Sequence, residues 1–354
     1  MIKRRKTITI NVGGIKIGSA FPVRIQSMVK CPTKDIKAVI SEIKTLKKAG
    51  CEIVRVAIKD SHDAQSVKLI KKKVGIPIVG DIHYNYRLAL DVIGYGADKI
   101  RINPGNISKE EELKSIIKVA KKRRIPIRIG INSGSLPRMD YESNRINRTV
   151  RFAQRYIRLF EKYTFRDIIV SVKCSDVTET VEANRLLSKD CYYPFHLGIT
   201  AAGPYDTGII KSSIGIGALL LEGIGDTVRV SLTGESVSEI YAARKILESL
   251  DIRRFGPDII SCPTCGRCQV NMVEIVNELK NRICRRRKLS GLSIKIAVMG
   301  CEVNGPGEAK DADIGIAFGR GTGLLFCRGK ILKRVNAKSS IKELLNLIDR
   351  TISS

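Results

Sequence analysis

One pattern recurs eight times along most of the chain: a short run rich in β-branched residues, then a stretch with apolar residues at helical spacing. The runs are PVRIQSMV (22–29), EIVRVAI (52–58), PIVGDI (77–82), DKIRIN (98–103), PIRIGIN (126–132), DIIVSVK (167–173), PFHLGIT (194–200) and DTVRVSL (226–232). Strand–helix alternation predicts a parallel sheet, and eight units over about 230 residues are typical of a closed (β/α)8 barrel of the TIM type. An open doubly wound sheet is the alternative, although no GxGxxG motif follows the first run to support a dinucleotide site.

Two segments lie outside this repeat. Before it, TITINVGGIKIGS alternates and turns at Gly13–Gly14, which predicts a β-hairpin across the bottom of the barrel. After Leu250 the repeat stops, and Gly256–Pro257 marks the expected boundary. We therefore expect an α/β chain of two domains, with the barrel in residues 1–255 and a smaller domain in residues 256–354.

The second domain mixes helices and strands. A helical stretch near 270–288 is followed by the strand IKIAVMGC, a Gly-rich turn, the hairpin-like LLFCRGKILKRV and an amphipathic helix near 340–352. This order predicts an α+β domain rather than a continuation of the barrel.

The net charge of +28 favours an anionic partner, which could be nucleic acid, a phosphorylated substrate or an acidic redox protein. Much of it falls in runs such as KLIKKK and KKRR, which are typical of solvated helix faces. Aromatic residues make up only 5% of the chain and Trp is absent, which weighs against a binder of single-stranded nucleic acid.

No apolar run reaches the roughly 18 residues of a membrane span, and the start lacks a signal-peptide pattern, so we expect a cytoplasmic protein.

Basic and polar side chains lie within or directly after the predicted strands, where the active sites of barrel enzymes are found. They are Arg55, Asp81, His83, Arg101, Asn103, Arg128, Asn132, Lys173, Arg229 and Ser231. Charged side chains are seldom buried unless they are paired. Arginines that line a barrel together would therefore need an anionic ligand, and guanidinium groups match phosphate oxygens. The alternative is that some of them face outward and pair with carboxylates on the helices.

Ten cysteines in a chain without secretory features favour metal binding over disulfides. Cys262, Cys265 and Cys268 form a CxxCxxC motif, and Cys301 precedes a turn of low bulk, Asn-Gly-Pro-Gly. Such a turn lets backbone N–H groups approach a cluster, which favours iron and sulfur. A structural zinc site would require a second CxxC or a Cys–His pair, and no histidine follows His196. From spacing alone, all four cysteines are candidate ligands.

Nine longer stretches, spread over both expected domains, make the chain resemble a known family. They are RIQSMV, GDIHYNYRLAL, KIRINPGNI, PIRIGINSGSL, IVSVKCSDV, FHLGIT, IGIGALLLEGIGDTVRVSL, SCPTCGR and GCEVNGPGEA. The family is that of the bacterial 4-hydroxy-3-methylbut-2-enyl diphosphate synthases, iron–sulfur oxidoreductases of non-mevalonate isoprenoid synthesis. The resemblance implies a barrel followed by an iron–sulfur domain, and a homodimer.

The resemblance also implies the chemistry. A 4Fe–4S cluster would be held by Cys262, Cys265, Cys301 and Glu308, with Glu308 also catalytic as the exchangeable ligand and Cys268 outside the set. Reduction by two electrons would open 2-C-methyl-D-erythritol 2,4-cyclodiphosphate and release water, giving 4-hydroxy-3-methylbut-2-enyl diphosphate. Flavodoxin or ferredoxin would deliver the electrons one at a time. The barrel residues named above would bind the diphosphate.

One position departs from the family. Its members usually have glutamate in a Thr-Glu-Ala-Gly motif after the seventh strand, and this chain has Ala201 there. The glutamate's role in positioning or protonating the substrate is therefore open here, with Asp206 as a candidate replacement.

A different class of function, a basic nucleic-acid-binding protein with a structural zinc, would explain the charge and the CxxC motif. It would not explain the barrel arginines or the NGPGEA turn.

Overall fold

The computed structural model describes residues 2–132, 134, 136, 144–289, 292–301, 309 and 311–353. The chain divides into two compact units, Met1–Arg253 and Arg254–Ser354. None of the described helices is both long enough and apolar enough to cross a membrane.

The first unit contains a two-stranded hairpin, β1 (Ile10–Val12) and β2 (Ile15–Ile17), and eight parallel strands. The parallel strands are β3 (Arg24–Met28), β4 (Ile53–Ile58), β5 (Ile78–Ile82), β6 (Lys99–Ile102), β7 (Ile127–Asn132), β8 (Ile168–Lys173), β9 (His196–Leu197) and β10 (Thr227–Val228). Their order is β8-β7-β6-β5-β4-β3-β10-β9, and a bridge between Val170 and Phe195 closes the ring. The (β/α)8 barrel expected from the repeat is confirmed.

Helices follow the strands and cover the outside of the barrel. They are α1 (Ile36–Ala49), α2 (Ser61–Val74), α3 (Tyr86–Gly94), α4 (Glu110–Arg123), α5 (Arg145–Lys162), α6 (Val177–Ser188), α7 (Tyr205–Leu221) and α8 (Ser236–Ser249). Side-chain caps fix several of their starts: Asp35, Asp60 and Asp176 each accept a hydrogen bond from a backbone N–H in the first turn. The apolar side of each amphipathic helix faces the sheet, so the strands between them are buried on both faces.

The hairpin covers the amino-terminal end of the barrel. Ile10, Val12 and Ile17 are buried in one apolar cluster with residues near the start of β4, β5 and β8. The turn between β1 and β2 uses Gly13 and Gly14 at φ +56° and +92°, a region that other residues rarely adopt. Because one end of the barrel is closed in this way, a ligand can reach the interior from the carboxyl ends of the strands.

A five-stranded sheet and two α-helices make up the described part of the second unit. They are β11 (Asp258–Ser261), α9 (Met272–Cys284), β12 (Lys295–Met299), β13 (Ile314–Phe318), β14 (Thr322–Cys327), β15 (Lys330–Asn336) and α10 (Ser340–Ser353). The sheet order is β11-β12-β13-β14-β15, parallel from β11 to β13 and antiparallel from β13 to β15. Both helices contribute to one apolar core with the sheet. The expected α+β character is confirmed.

Sequence reasoning missed one central strand of this sheet, β13. Its sequence IGIAF includes Gly315, which weakens a strand signal. The structure gives the reason for the glycine, since a Cβ atom at Gly315 would lie 2.2 Å from Cζ of Phe326 on β14. Glycine is required at position 315 because β13 packs closely against a side chain of β14. The periodicity of residues along one strand does not reveal such a contact with another strand.

Candidate functional site

Polar side chains converge in a cavity of about 330 Å³ in the barrel, near the carboxyl ends of the strands. The described residues that line it are Met28, Arg55, Asp81, His83, Arg101, Arg128, Asn132, Ser171, Lys173, Thr200, Ala201, Arg229 and Ser231. Five of these side chains are arginine or lysine and one is a carboxylate. Nine of the ten barrel residues expected from the sequence therefore lie together.

Strand register explains the convergence. Asp81 and Arg101 are opposite each other on β5 and β6, and Arg101 is opposite Arg128 on β7. Asn132 and Lys173 are likewise opposite on β7 and β8. Since alternate residues of a strand point to the same face, each of these positions points into the barrel. The four predicted arginines all line the cavity and therefore do not face outward, although one of them, Arg229, also pairs with a carboxylate of α8.

Asp81 organises one side of the cavity. Its carboxylate lies 3.2 Å from Arg101 Nη1, 3.5 Å from Arg55 Nη1 and 3.7 Å from His83 Nε2. Burial alone would raise the pKa of Asp81, but the charges of Arg55, Arg101 and Arg128 outweigh it and hold the pKa below its usual range. Asp81 is therefore ionised at neutral pH and fixes two arginines in place.

Arg128 forms no ion pair with a carboxylate among the described residues, although the charge of Asp81 acts on it from a distance. Only 2% of its surface is exposed, and its Nε and Nη1 atoms have no hydrogen-bond partner among the described residues. Burial and the neighbouring arginines lower its pKa well below the usual value. Lys173 is similar: its Nζ donates to the carbonyl of Leu197 at 3.3 Å, and burial and the arginines lower its pKa well below normal. An anion in the cavity would satisfy both groups.

A further polar layer lies deeper in the barrel, and the sequence reasoning missed it. Lys99 is fully buried two residues before Arg101 on the same strand face, and its Nζ donates to Gln26 Oε1 at 3.1 Å. His196 Nδ1 lies 2.8 Å from Thr227 Oγ1. The alternation of Lys99 with Arg101 in KIRI is the signal that could have identified it.

Three further positions differ in their relation to the cavity. Asn103 does not line the cavity; its Oδ1 accepts a hydrogen bond from the N–H of Gly105 at 3.1 Å, which shapes the loop after β6. Ala201 lines the cavity at φ +50°, a strained conformation for a residue with a Cβ atom. Asp206 is exposed and is not among the described lining residues.

The cysteine motif lies in the second unit, after β11. The N–H of Cys268 donates to the carbonyl of Cys265 at 2.9 Å, which closes the turn. The N–H of Gly300, just after β12, donates to Cys262 Sγ at 3.1 Å. A Cβ atom at Gly300 would lie 2.4 Å from Cys268 Sγ and 3.3 Å from Cys262 Sγ. Only glycine leaves room for both sulfur atoms beside the backbone.

The donor chemistry of this region fits a metal or cluster, although the described cysteines are not gathered into one site. Cys265 is exposed, and hydrogen bonds from the backbone and side chain of Arg267 lower its pKa, which favours the thiolate. Cys301 follows Gly300, two residues after the end of β12, and is partly buried. Within the described ranges, no three ligating side chains come close enough to hold a metal ion. Glu308, expected as the fourth ligand, lies outside the described residues.

Solved structures with a similar fold share little sequence with this chain. Dihydropteroate synthase from Yersinia pestis aligns with a TM-score of 0.51 at 12% identity, covering 69% of this chain and 98% of that one. 3-Dehydroquinate dehydratase from Geobacillus kaustophilus aligns with a TM-score of 0.50 at 16% identity, covering 70% and 98%. At this identity the likeness concerns the fold alone.

Sequence relatives are far closer. A protein of Thermodesulfovibrio yellowstonii is 52% identical over 98% of this chain and 99% of its own length. One from Ruminiclostridium cellulolyticum is 48% identical over 98% of each chain. Both are named 4-hydroxy-3-methylbut-2-en-1-yl diphosphate synthase (flavodoxin). Residues 7–244 match the GcpE TIM-barrel domain, and residues 258–350 match the GcpE protein C-terminal domain. The chain belongs to the GcpE family.

Proposed function

We propose that this chain is a 4-hydroxy-3-methylbut-2-en-1-yl diphosphate synthase. It reduces 2-C-methyl-D-erythritol 2,4-cyclodiphosphate by two electrons, opens the ring and releases one hydroxyl as water. The full-length relatives carry this name. The rival reading, a nucleic-acid-binding protein with a structural zinc, finds no support in the cavity or in the relatives.

One observation carries the proposal: the positive charge left unpaired inside the barrel. Asp81 is the single carboxylate among the described lining residues, and it is already engaged by Arg55 and Arg101. Arg128 and Lys173 have no carboxylate partner among the described residues that line the cavity. Burying such charges without compensation is costly. A diphosphate supplies the missing negative charge and accepts bonds from several guanidinium groups at once.

The barrel residues then have distinct tasks. Arg128, Lys173 and Arg229 bind the diphosphate oxygens, and Ser231 can donate a hydrogen bond to the same group. Asp81 keeps Arg55 and Arg101 oriented. His83 and Asn132, at the carboxyl ends of β5 and β7, contact the substrate on the open side of the cavity. Asn103 contributes indirectly, through the loop after β6.

We further propose that Cys262, Cys265, Cys301 and Glu308 hold a 4Fe–4S cluster, with Glu308 as the exchangeable and catalytic ligand. Such a cluster supplies electrons one at a time. In this chain the N–H of Gly300 stabilises the sulfur of Cys262, and Arg267 stabilises that of Cys265. These contacts support thiolate ligands, which the cluster requires.

The electron donor is proposed to be flavodoxin or ferredoxin, and the relatives are named for flavodoxin. Homodimer formation is also proposed. The outer face of α7 supports it, because Ile210, Ile214 and Leu221 each leave more than half of their surface exposed on that helix. A cytoplasmic location stays a prediction.

The function is tested by anaerobic reconstitution of the full-length protein with iron and sulfide. A broad absorption near 400 nm, together with reductant-dependent conversion of the cyclodiphosphate to the hydroxylated diphosphate, is the expected result. A colourless protein that retains zinc and binds nucleic acid would contradict it. Light scattering of the same sample measures the dimer.

A further inference from the structure

A second buried carboxylate, Glu239, lies next to one arginine of the cavity, Arg229, without lining the cavity itself. It belongs to the first turn of α8, and only 2% of its surface is exposed. Acidic side chains are almost never buried to this extent unless they are paired. The partners of Glu239 therefore indicate its role.

The two oxygens of Glu239 have different partners. Oε2 accepts a hydrogen bond from Ser27 Oγ at 3.3 Å and lies 3.5 Å from Arg229 Nη2. Oε1 accepts from the N–H of Leu232 at 3.1 Å and lies 3.1 Å from Lys30 Nζ. One side chain thus connects β3, the loop after β3, the segment after β10 and an arginine of the cavity.

Of these four partners, Arg229 alone lines the cavity. Burial, with the charge of Arg55, lowers the pKa of Arg229 to about 10, and the carboxylate of Glu239 acts against that shift. Arg229 Nε has no hydrogen-bond partner among the described residues. The guanidinium is therefore held at one nitrogen by Glu239, while the residue lines the cavity that would hold a ligand.

We propose that Glu239 is a positioning residue of the diphosphate site, acting through Arg229. This inference rests on the proposed function, because it takes a diphosphate as the anion that Arg229 binds. Asp81 orients Arg55 and Arg101 on one side of the cavity, and Glu239 orients Arg229. Arg128 and Lys173 have no carboxylate partner among the described lining residues, so their positive charge is available to attract the ligand.

A double-mutant cycle tests the proposal, with inorganic pyrophosphate as the probe and calorimetry on the full-length protein. Glu239→Gln keeps the shape of the side chain and removes its charge. We expect it to weaken pyrophosphate binding about tenfold, and Arg229→Gln to weaken it about ten- to a hundredfold. If Glu239 acts through Arg229, adding Glu239→Gln to Arg229→Gln should change binding by less than about twofold.

Measuring KM and kcat of the reconstituted enzyme separately distinguishes a positioning role of Glu239 from a role in folding alone. Because Arg229 binds the diphosphate in the ground state and in the transition state alike, Glu239→Gln should raise KM with kcat within about twofold. Glu248→Gln is the matched control, since Glu248 lies on the same helix and pairs with Lys245 at 2.7 Å. It should leave pyrophosphate binding unchanged.

Two results would overturn the proposal: wild-type affinity in Glu239→Gln, or an equal loss of affinity with and without Arg229. If Glu239→Gln does not fold, Glu239→Asp keeps the charge on a shorter side chain, and the same coupling to Arg229 is expected. Pyrophosphate binding requires no turnover. The coupling can therefore be measured even if the chain fails to convert the cyclodiphosphate, which separates this inference from the proposed function.

Discussion

Replacing Arg128 with methionine is the sharpest test of the barrel site. Arg128 is buried, two of its guanidinium nitrogens lack a partner in the described chain, and Arg55 and Arg101 repel it. Methionine fills a similar length with an apolar, adaptable chain and removes the charge. Two opposite effects are expected, a loss of anion affinity and a gain in stability without ligand.

The affinity change follows from the bonds that Arg128 has available. A hydrogen bond to a charged group contributes about 1.5–3 kcal/mol, and each 1.4 kcal/mol corresponds to a tenfold change in Kd. The loss of at least one such bond is partly offset by weaker repulsion among the remaining cations. We therefore expect Arg128→Met to raise the Kd for pyrophosphate about ten- to a hundredfold, measured by titration calorimetry.

The stability change has the opposite sign because the ligand-free cavity carries unpaired charge. A buried polar group without a partner costs about 1–3 kcal/mol. Removing it should raise the unfolding temperature of the ligand-free protein by several degrees, at about 2–4 °C per kcal/mol for a domain of this size. Added pyrophosphate should then stabilise the wild type more than the variant.

Arg155→Met, on the exposed face of α5, is the control and should change neither quantity. Wild-type affinity for pyrophosphate in Arg128→Met would refute the assignment of Arg128 to the anion site. A ligand-free variant that is clearly less stable than the wild type would refute it as well. Either result would mean that Arg128 is satisfied within the protein and does not await a ligand.

Three other predictions concern the cysteines, the buried carboxylate and the charge. Cys268→Ser should keep full iron content after reconstitution while Cys262→Ser loses it; loss of iron from the first variant would make Cys268 a ligand. Asp81→Asn should cost about 3–5 kcal/mol near neutral pH, because it strips buried arginines of their counter-charge. The arginines hold the pKa of Asp81 below its usual range. The loss of unfolding free energy in Asp81→Asn, measured by urea unfolding, should therefore persist down to about pH 4 and shrink only below it, as the wild-type carboxyl is protonated. A loss that already shrinks at pH 6 would contradict the assignment. Turnover driven by flavodoxin should fall steeply as ionic strength rises, because the net charge of +28 would steer an acidic donor. Turnover driven by a small chemical reductant should fall less. Equal salt sensitivity of the two reactions would place the effect on substrate binding.

Two short basic stretches, residues 253–254 and 285–288, could steer an acidic donor, but several of their arginines are already engaged within the protein. Arg253 lies 2.6 Å from Glu52, and Arg286 lies 2.5 Å from Asp349. Arg254 donates to Ser293 Oγ at 2.8 Å. Cations that are already paired attract a distant partner more weakly, so the exposed Arg285 and Lys288 are the better candidates for mutation in the salt experiment.

Much of the barrel and its site could be read from the sequence, because both depend on local periodicity. Alternation within a strand decides which residues share a face, and a closed barrel turns one face inward. Arg55, Arg101, Arg128 and Arg229 occupy such positions, and all four line the cavity. The turn at Gly13–Gly14 likewise predicts the hairpin, because backbone conformation there is a property of the residues themselves.

Only the tertiary structure decided how the charges are paired. Asp81 pairs with Arg55 and Arg101, and Glu239 pairs with Arg229. Lys99 bonds Gln26 across the interior although 73 positions separate them in the chain. Asn103 shapes the loop after β6 by accepting a hydrogen bond from the N–H of Gly105, and its contact with the substrate stays a prediction. Such contacts depend on the stagger between strands and on where a helix from elsewhere in the chain packs. Periodicity fixes the direction of a side chain within its own element, whereas its partner is set by closure of the barrel, which brings distant segments to within a few ångströms.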